Sequence, residues 1–155
     1  MGVHGPEFLP LLIIASQAWG SLRASPADGA VVRARPPPWF FGVVWTAVVV
    51  VLSAVWWAVC ETARTKTNRP FITAAHSLLV ATVALCLAWL AVYHAPCGKT
   101  GGVYVLWMLV AVLAALGGSA VALRLPQGIA LALPVTWAVY AAVMNMIEVQ
   151  HETIS

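Results

Sequence analysis

The chain has 155 residues, of which 62% are hydrophobic and only 8% are charged. A soluble domain of this size needs about 25% charged residues to cover its surface, so this composition predicts an integral, multi-pass membrane protein. The net charge of +3 comes from scattered residues without a basic run, which excludes nucleic acid as a partner. The three cysteines form no CxxC pair, and their odd number leaves at least one unpaired within the chain.

Uncharged runs of about 20 residues mark the predicted spans. The first run lacks the basic segment that begins a cleavable signal peptide, so we expect it to be retained. The runs are apolar throughout rather than alternating, which favours helices over a β-barrel. The prediction is an all-α integral membrane protein, a bundle of five transmembrane helices in one domain over 1–155, with helices at about 8–24, 40–59, 71–93, 103–123 and 129–147.

The charges of the loops do not predict the orientation of this bundle in the membrane. Five spans would put the two ends of the chain on opposite sides, and each side would carry four Lys or Arg residues, so the positive-inside rule makes no choice. Two connections are longer than the rest: Ser25–Trp39, stiffened by three successive prolines, and the polar link Glu61–Pro70.

Eight tryptophans are an unusually large share, and their positions indicate two roles. Trp39, Trp57 and Trp107 lie near the ends of spans, where an indole prefers the headgroup level. Trp45 and Trp56 are separated by a rotation of only about 20° on a helix. They should therefore form one stripe of the second helix, facing a single partner.

The fifth helix places Trp137, Tyr140, Ala141 and Met144 on one face, with Asn145 at its margin. That face is either close helix packing, which is the commoner use, or the wall of a cavity for a flat apolar ligand. The fourth helix repeats small residues, which predicts another packing face. The members of that small-residue stripe are Ala111, Ala115, Gly118 and Ala122.

Polar groups inside a bilayer need partners, and the candidates are Gln17, His76, Thr82 and Asn145. We interpret His76 as a neutral imidazole bonded to a neighbouring helix. A metal or haem ligand would want a second His or Cys beside it, and Cys60 is placed by the sequence near a span end, so no metal site is predicted. Glu148 is placed at the exit of the last span, which leaves no carboxylate pair for a proton relay, and no catalytic residue is assigned.

Three segments together resemble the translocator protein family, also called tryptophan-rich sensory proteins (TspO/MBR). The segment Arg35–Thr46 is similar to the start of that family's second helix, Ala84–Trp89 to its third-helix segment ending in Trp, and Trp137 with Asn145 to its fifth helix. Several positions depart from the family pattern: Ala34, Pro38 and Val49 around the second helix, and Thr82, Cys86 and Leu87 in the third.

The resemblance implies a five-helix bundle with an inner cavity, lidded by the first loop, that binds porphyrin, haem and other lipophilic molecules and requires no cofactor. Trp45 and Trp137 fall on the positions that the family associates with the porphyrin pocket and with light-dependent porphyrin breakdown. Lid arginines would pair with the propionates of the ligand. The implied ligand-binding set is Trp45, Trp137, Trp39, Trp89, Ala141 and Asn145, with Arg33 and Arg35 in the lid.

We expect porphyrin rather than sterol as the ligand, because Met146 and Gln150 stand where the family's sterol motif has Tyr and a basic residue. Three functions stay open. The first is a ligand-binding carrier, sink or sensor; the second is a light-dependent porphyrin-degrading enzyme; and the third is a helical scaffold that has lost the pocket. The resemblance implies a mitochondrial outer membrane or a bacterial membrane, with membrane lipid as a partner and a homodimer left open.

Overall fold

The computed structural model describes residues 8–23, 35–65, 69–95 and 98–154. Over these residues the chain is helical and contains no strand. A short 3-10 helix, Pro126–Leu131, leads into the last α-helix. The α-helices in chain order are α1 (Leu11–Arg23), α2 (Pro38–Thr65), α3 (Arg69–Tyr93), α4 (Gly98–Ala122) and α5 (Ala132–Ile154).

Four helices in the described part of the chain are long and apolar enough to cross a membrane, namely α2, α3, α4 and the 3-10 helix continuing into α5. The remaining helix, α1, has 13 residues and is shorter than a full span requires. The all-α, multi-pass membrane architecture predicted from composition is therefore confirmed. Of the five predicted spans, four correspond to helices that are long and apolar enough to cross a membrane.

Several helix ends differ from the predicted boundaries. α2 runs on through Glu61 to Thr65, where a polar link was expected, and Arg64 donates to the Glu61 carboxylate at 2.7 Å one turn away, a pair that favours the helix. At its start α2 includes Pro38, a residue suited to the first helical position. The last helix was predicted at 129–147. In the structure residues 129–131 belong to the 3-10 helix, and α5 continues beyond 147 to Ile154.

The helices form a ring in the order α1, α2, α5, α4 and α3, with α1 lying against both α2 and α3. The predicted stripe of α2 is confirmed, since Trp45 and Trp56 are both buried on its inner side. Large apolar side chains from every side of the ring fill the centre. The largest that are fully buried include Trp56, Ile13, Leu52, Leu79, Leu106, Leu113, Leu116 and Leu131.

Within the bundle, the predicted packing face of α4 is wrong. Ala111, Ala115, Gly118 and Ala122 all lie on the exposed outer side of the bundle. α4 instead turns leucines inward, at Leu106, Leu109, Leu113 and Leu116. Because lipid is as apolar as the bundle interior, no polarity difference marks the inner face of such a helix, and the larger side chains fill the centre.

Candidate functional site

One indole from each of three helices meets in the interior, and we call Trp45, Trp89 and Trp137 the tryptophan cluster. Trp45 of α2 stacks on Trp89 of α3, with ring centroids 6.4 Å apart and an interplanar angle of 26°. Trp137 of α5 meets Trp45 edge to face at 6.4 Å and 90°. Trp45 is 6% exposed and Trp137 is 8% exposed, so both face the interior rather than the surroundings of the bundle.

Further rings extend the cluster along the line where α2 meets α5. Phe41 of α2 touches Trp137 edge to face, with centroids 5.4 Å apart. Tyr140, one turn beyond Trp137 on α5, stacks on it at 5.3 Å. The guanidinium carbon of Arg35 lies 5.9 Å from the centroid of the Phe41 ring, which is within the range of a cation–π contact. An exposed positive charge therefore stands at the edge of the cluster.

A small cavity lies beside the cluster. Its volume is about 10 Å³, which is room for about one water molecule. Pockets for ligands of drug size measure about 300–1,000 Å³, so a macrocycle enters only if these side chains move apart. The wall residues include Trp45, Leu52, Cys86, Leu109, Trp137 and Ala141.

Three buried hydrogen-bond donors at the cluster have no partner among the described residues. They are the indole Nε1–H groups of Trp89 and Trp137 and the Nδ2 amide of Asn145. Asn145 is 5% exposed and its amide lies against Gly102 of α4, as expected of an amide within a span. A buried donor left unpaired costs about 1–3 kcal/mol, so these groups are candidates to bind a ligand's acceptor atoms.

Gly102 of α4 shows where two of these donors converge. A methyl group on its Cα would lie 3.1 Å from Asn145 Nδ2 and 3.6 Å from Trp89 Nε1. The bare backbone of α4 thus lets the amide of α5 and the indole of α3 come together. A methyl group here would crowd the Asn145 amide, whereas its distance from Trp89 Nε1 would be an ordinary van der Waals contact.

One turn further along α5, Glu148 lies inside the bundle and is 5% exposed. The Tyr93 hydroxyl contacts both carboxylate oxygens, at 3.0 and 3.2 Å, and Lys99 Nζ lies 3.9 Å from one of them. The sequence placed Glu148 at the helix exit and missed its two partners. Glu148 comes three residues after Asn145 and so continues the helix face that carries Trp137. This spacing was the signal in the sequence for its position inside the bundle.

The other predicted site residues are distributed as follows. Ala141 is half-buried in the cavity wall, with Trp137 on the same helix. Trp39 is 68% exposed and lies outside the cluster, on the outer surface where the interfacial interpretation put it. Arg35 is exposed, and Arg33, with most of the predicted lid, lies outside the described residues.

Two further polar residues within spans have hydrogen-bond partners. Thr82 donates to the carbonyl of Leu78 on its own helix at 2.8 Å. The expected bond from His76 to a neighbouring helix is confirmed, since its Nε2 lies 3.6 Å from Cys60 Sγ of α2. Cys60 is therefore beside His76, contrary to the sequence-based placement. In the described part of the chain, no group of three or more His, Cys, Asp or Glu residues could hold a metal ion.

No family model matches this chain, and no curated protein matches it in sequence. The cluster and its buried donors are therefore the main structural basis for assigning a function.

Proposed function

We propose that the protein is a TspO/MBR-like integral membrane protein that binds porphyrin, haem or another flat lipophilic molecule at the tryptophan cluster, as a carrier, sink or sensor. The supporting observation is the meeting of three indoles from α2, α3 and α5 in the interior, with neighbouring centroids 6.4 Å apart. A flat macrocycle gains binding free energy mainly by stacking on such rings and leaving water.

The unpaired donors support a ligand that carries acceptor atoms. Trp89, Trp137 and Asn145 each hold a buried N–H without a partner in the described residues. A carboxylate or carbonyl oxygen placed beside Gly102, where the Asn145 amide and the Trp89 indole converge, would reduce the desolvation penalty of these two donors. A pure hydrocarbon would leave them unpaired, and a sterol brings a single hydroxyl. Porphyrin propionates therefore suit the site better.

Binding requires the cluster to open. The contacts of Trp45 and Phe41 with Trp137 join α2 to α5, and the cavity beside them has only about 10 Å³. The ligand replaces these ring-to-ring contacts with its own stacking contacts as α2 and α5 separate. Arg35, exposed beside Phe41, then pairs with a propionate near the membrane surface.

The small cavity also favours a second candidate, a helical scaffold without a pocket. In that case the rings are simply core packing between α2, α3 and α5. The buried donors argue against it, because packing alone does not explain why Asn145 Nδ2 and Trp89 Nε1, which converge beside Gly102, both lack a partner among the described residues.

Titration with protoporphyrin in detergent micelles tests the proposal, with tryptophan fluorescence read in the dark and under illumination. Saturable quenching in the dark supports a binding protein. Quenching followed by light-driven product formation identifies the porphyrin-degrading enzyme. Absent quenching by a folded protein identifies the scaffold. Cholesterol added as a competitor should displace protoporphyrin poorly, and tight cholesterol binding without porphyrin quenching would reverse the ligand ranking.

The lid arginine provides a second measurement. Arg35→Ala should weaken protoporphyrin binding only slightly, since exposed ion pairs contribute about 0–1 kcal/mol. The difference between wild type and variant should shrink as salt rises. A large, salt-independent loss would mean that Arg35 contacts the ligand inside the bundle.

A further inference from the structure

A thiol and an imidazole meet on the opposite half of α2 from the tryptophan cluster. Cys60 Sγ lies 3.6 Å from His76 Nε2, between α2 and α3. The other ring nitrogen, Nδ1, lies 2.9 Å from the carbonyl oxygen of Ile72. A carbonyl oxygen only accepts hydrogen bonds, so Nδ1 carries the proton of the neutral ring. Nε2 is then the acceptor, and the Cys60 thiol donates to it.

Cys60 stands at the point where α2 leaves the apolar layer. The next residue is Glu61, the first charged residue after the apolar run, and it pairs with Arg64 at 2.7 Å. Trp57, one turn earlier, is exposed on the outer surface, as is typical of an indole at the headgroup level. The thiol is half-buried, whereas Cys86 in the middle of α3 is buried. Cys60 is thus within reach of molecules at the membrane surface.

The pair has an arrangement that activates a cysteine. The thiolate is the nucleophilic form, and a neighbouring imidazole within hydrogen-bond reach can take the thiol proton. Cysteines beside the membrane surface are the usual sites of reversible attachment of a fatty acyl chain. We propose that Cys60 is an S-acylation site, at which the thiol accepts a long-chain acyl group from an acyl thioester with His76 as the base.

The reaction is an exchange of thioesters without oxidation or reduction. His76 Nε2 takes the thiol proton, and Cys60 Sγ attacks the carbonyl carbon of the thioester. A new bond forms between Sγ and that carbon, and the bond from the carbon to the leaving sulfur breaks. The leaving thiolate takes the proton from His76. The attached chain can then lie against apolar side chains exposed at this end of the bundle, such as Trp57 and Phe71.

The test uses the purified full chain in detergent micelles, with palmitoyl-coenzyme A as the acyl donor and intact mass as the readout. We expect one palmitoyl group per chain, released by neutral hydroxylamine as a thioester is. Cys60→Ser should abolish this mass gain. Cys86→Ser and Cys97→Ser serve as matched controls and should keep it. A folded wild-type protein that gains no acyl group, or a Cys60→Ser variant that gains it as the wild type does, overturns the proposal.

Two histidine variants separate a base from a structural residue. His76→Gln keeps a polar side chain beside the thiol, and removing the base should slow acylation about a hundredfold. Circular dichroism of this variant checks that it is folded. In His76→Ala, imidazole added to the buffer should restore part of the rate. Equal rates in wild type and His76→Gln, or a slow His76→Ala variant on which imidazole has no effect, overturn the role of His76 as the base.

Discussion

Trp45 of α2 and Trp137 of α5 meet edge to face, with ring centroids 6.4 Å apart and ring planes at 90°. Both are core residues, and Trp89 stacks on Trp45. The edge-to-face contact joins α2 to α5 at the tryptophan cluster. Any ligand that enters between these helices must replace it.

Replacing Trp137 with Ala should weaken protoporphyrin quenching by about tenfold or more. The variant loses an aromatic contact worth about 0.5–1.5 kcal/mol beyond the buried area, together with the apolar area itself. It should also unfold more easily, by about 3–5 kcal/mol, as buried tryptophans do on truncation. Fluorescence titration below the unfolding temperature of the variant measures binding separately from stability.

Trp57→Ala is the matched control, because Trp57 is a tryptophan on the outer surface of α2. It should leave the dissociation constant for protoporphyrin unchanged within error. If both variants lose quenching equally, the macrocycle binds the outer surface rather than the cluster.

Asn145→Leu should raise the stability of the protein and lower its affinity for protoporphyrin. The amide is buried, and its Nδ2 has no partner among the described residues, so an apolar side chain of similar size removes a penalty of about 1–3 kcal/mol. The same change deletes a donor that the ligand would use. Thermal unfolding measures the change in stability, and porphyrin titration of the same preparation measures the change in affinity. Unchanged stability together with unchanged affinity would refute a binding role for Asn145.

Tyr93→Phe should destabilise the end of the bundle where Glu148 is buried. The Tyr93 hydroxyl donates to the Glu148 carboxylate at 3.0 Å, and its removal strips a buried charge of a donor at a cost of about 1–3 kcal/mol. Tyr104→Phe removes a hydroxyl from an exposed tyrosine of α4 and should change stability little. Chemical unfolding in detergent compares the two variants, and equal effects would show that the Tyr93 contact contributes nothing.

Two glycine substitutions test which side of α4 is packed. Gly118→Ala should stabilise by about 0.5–1 kcal/mol, since a methyl group there meets no atom within 4 Å and alanine favours the helix. Gly128→Ala should destabilise by about 1–3 kcal/mol, because its methyl group would lie 2.8 Å from the Cβ of Ala120. Thermal unfolding measures both. A destabilised Gly118→Ala protein would mean that another helix, such as one from a second copy, covers this outer face.

The class of protein and its helices could be predicted from the sequence, because both depend on local properties. Long apolar runs require membrane helices, since only internal hydrogen bonding satisfies the backbone in lipid. The 3.6-residue period was enough to place Trp45 with Trp56, and Trp137 with Asn145, on common faces. The end of α2 was less predictable, since Glu61 and Arg64 pair with each other within a helix that their polarity suggested would stop.

The tertiary structure decided everything that depends on which surfaces meet. The inner face of α4 could not be predicted from the sequence, because lipid and the protein interior are equally apolar. Leu109 and Ala111 are each compatible with either environment. The placement of Glu148 beside Tyr93 and of Cys60 beside His76 joins separate helices, so neither pair follows from spacing along one helix. The size of the cavity at Trp137 likewise depends on how side chains from four helices fill one space, and only their packing together determines it.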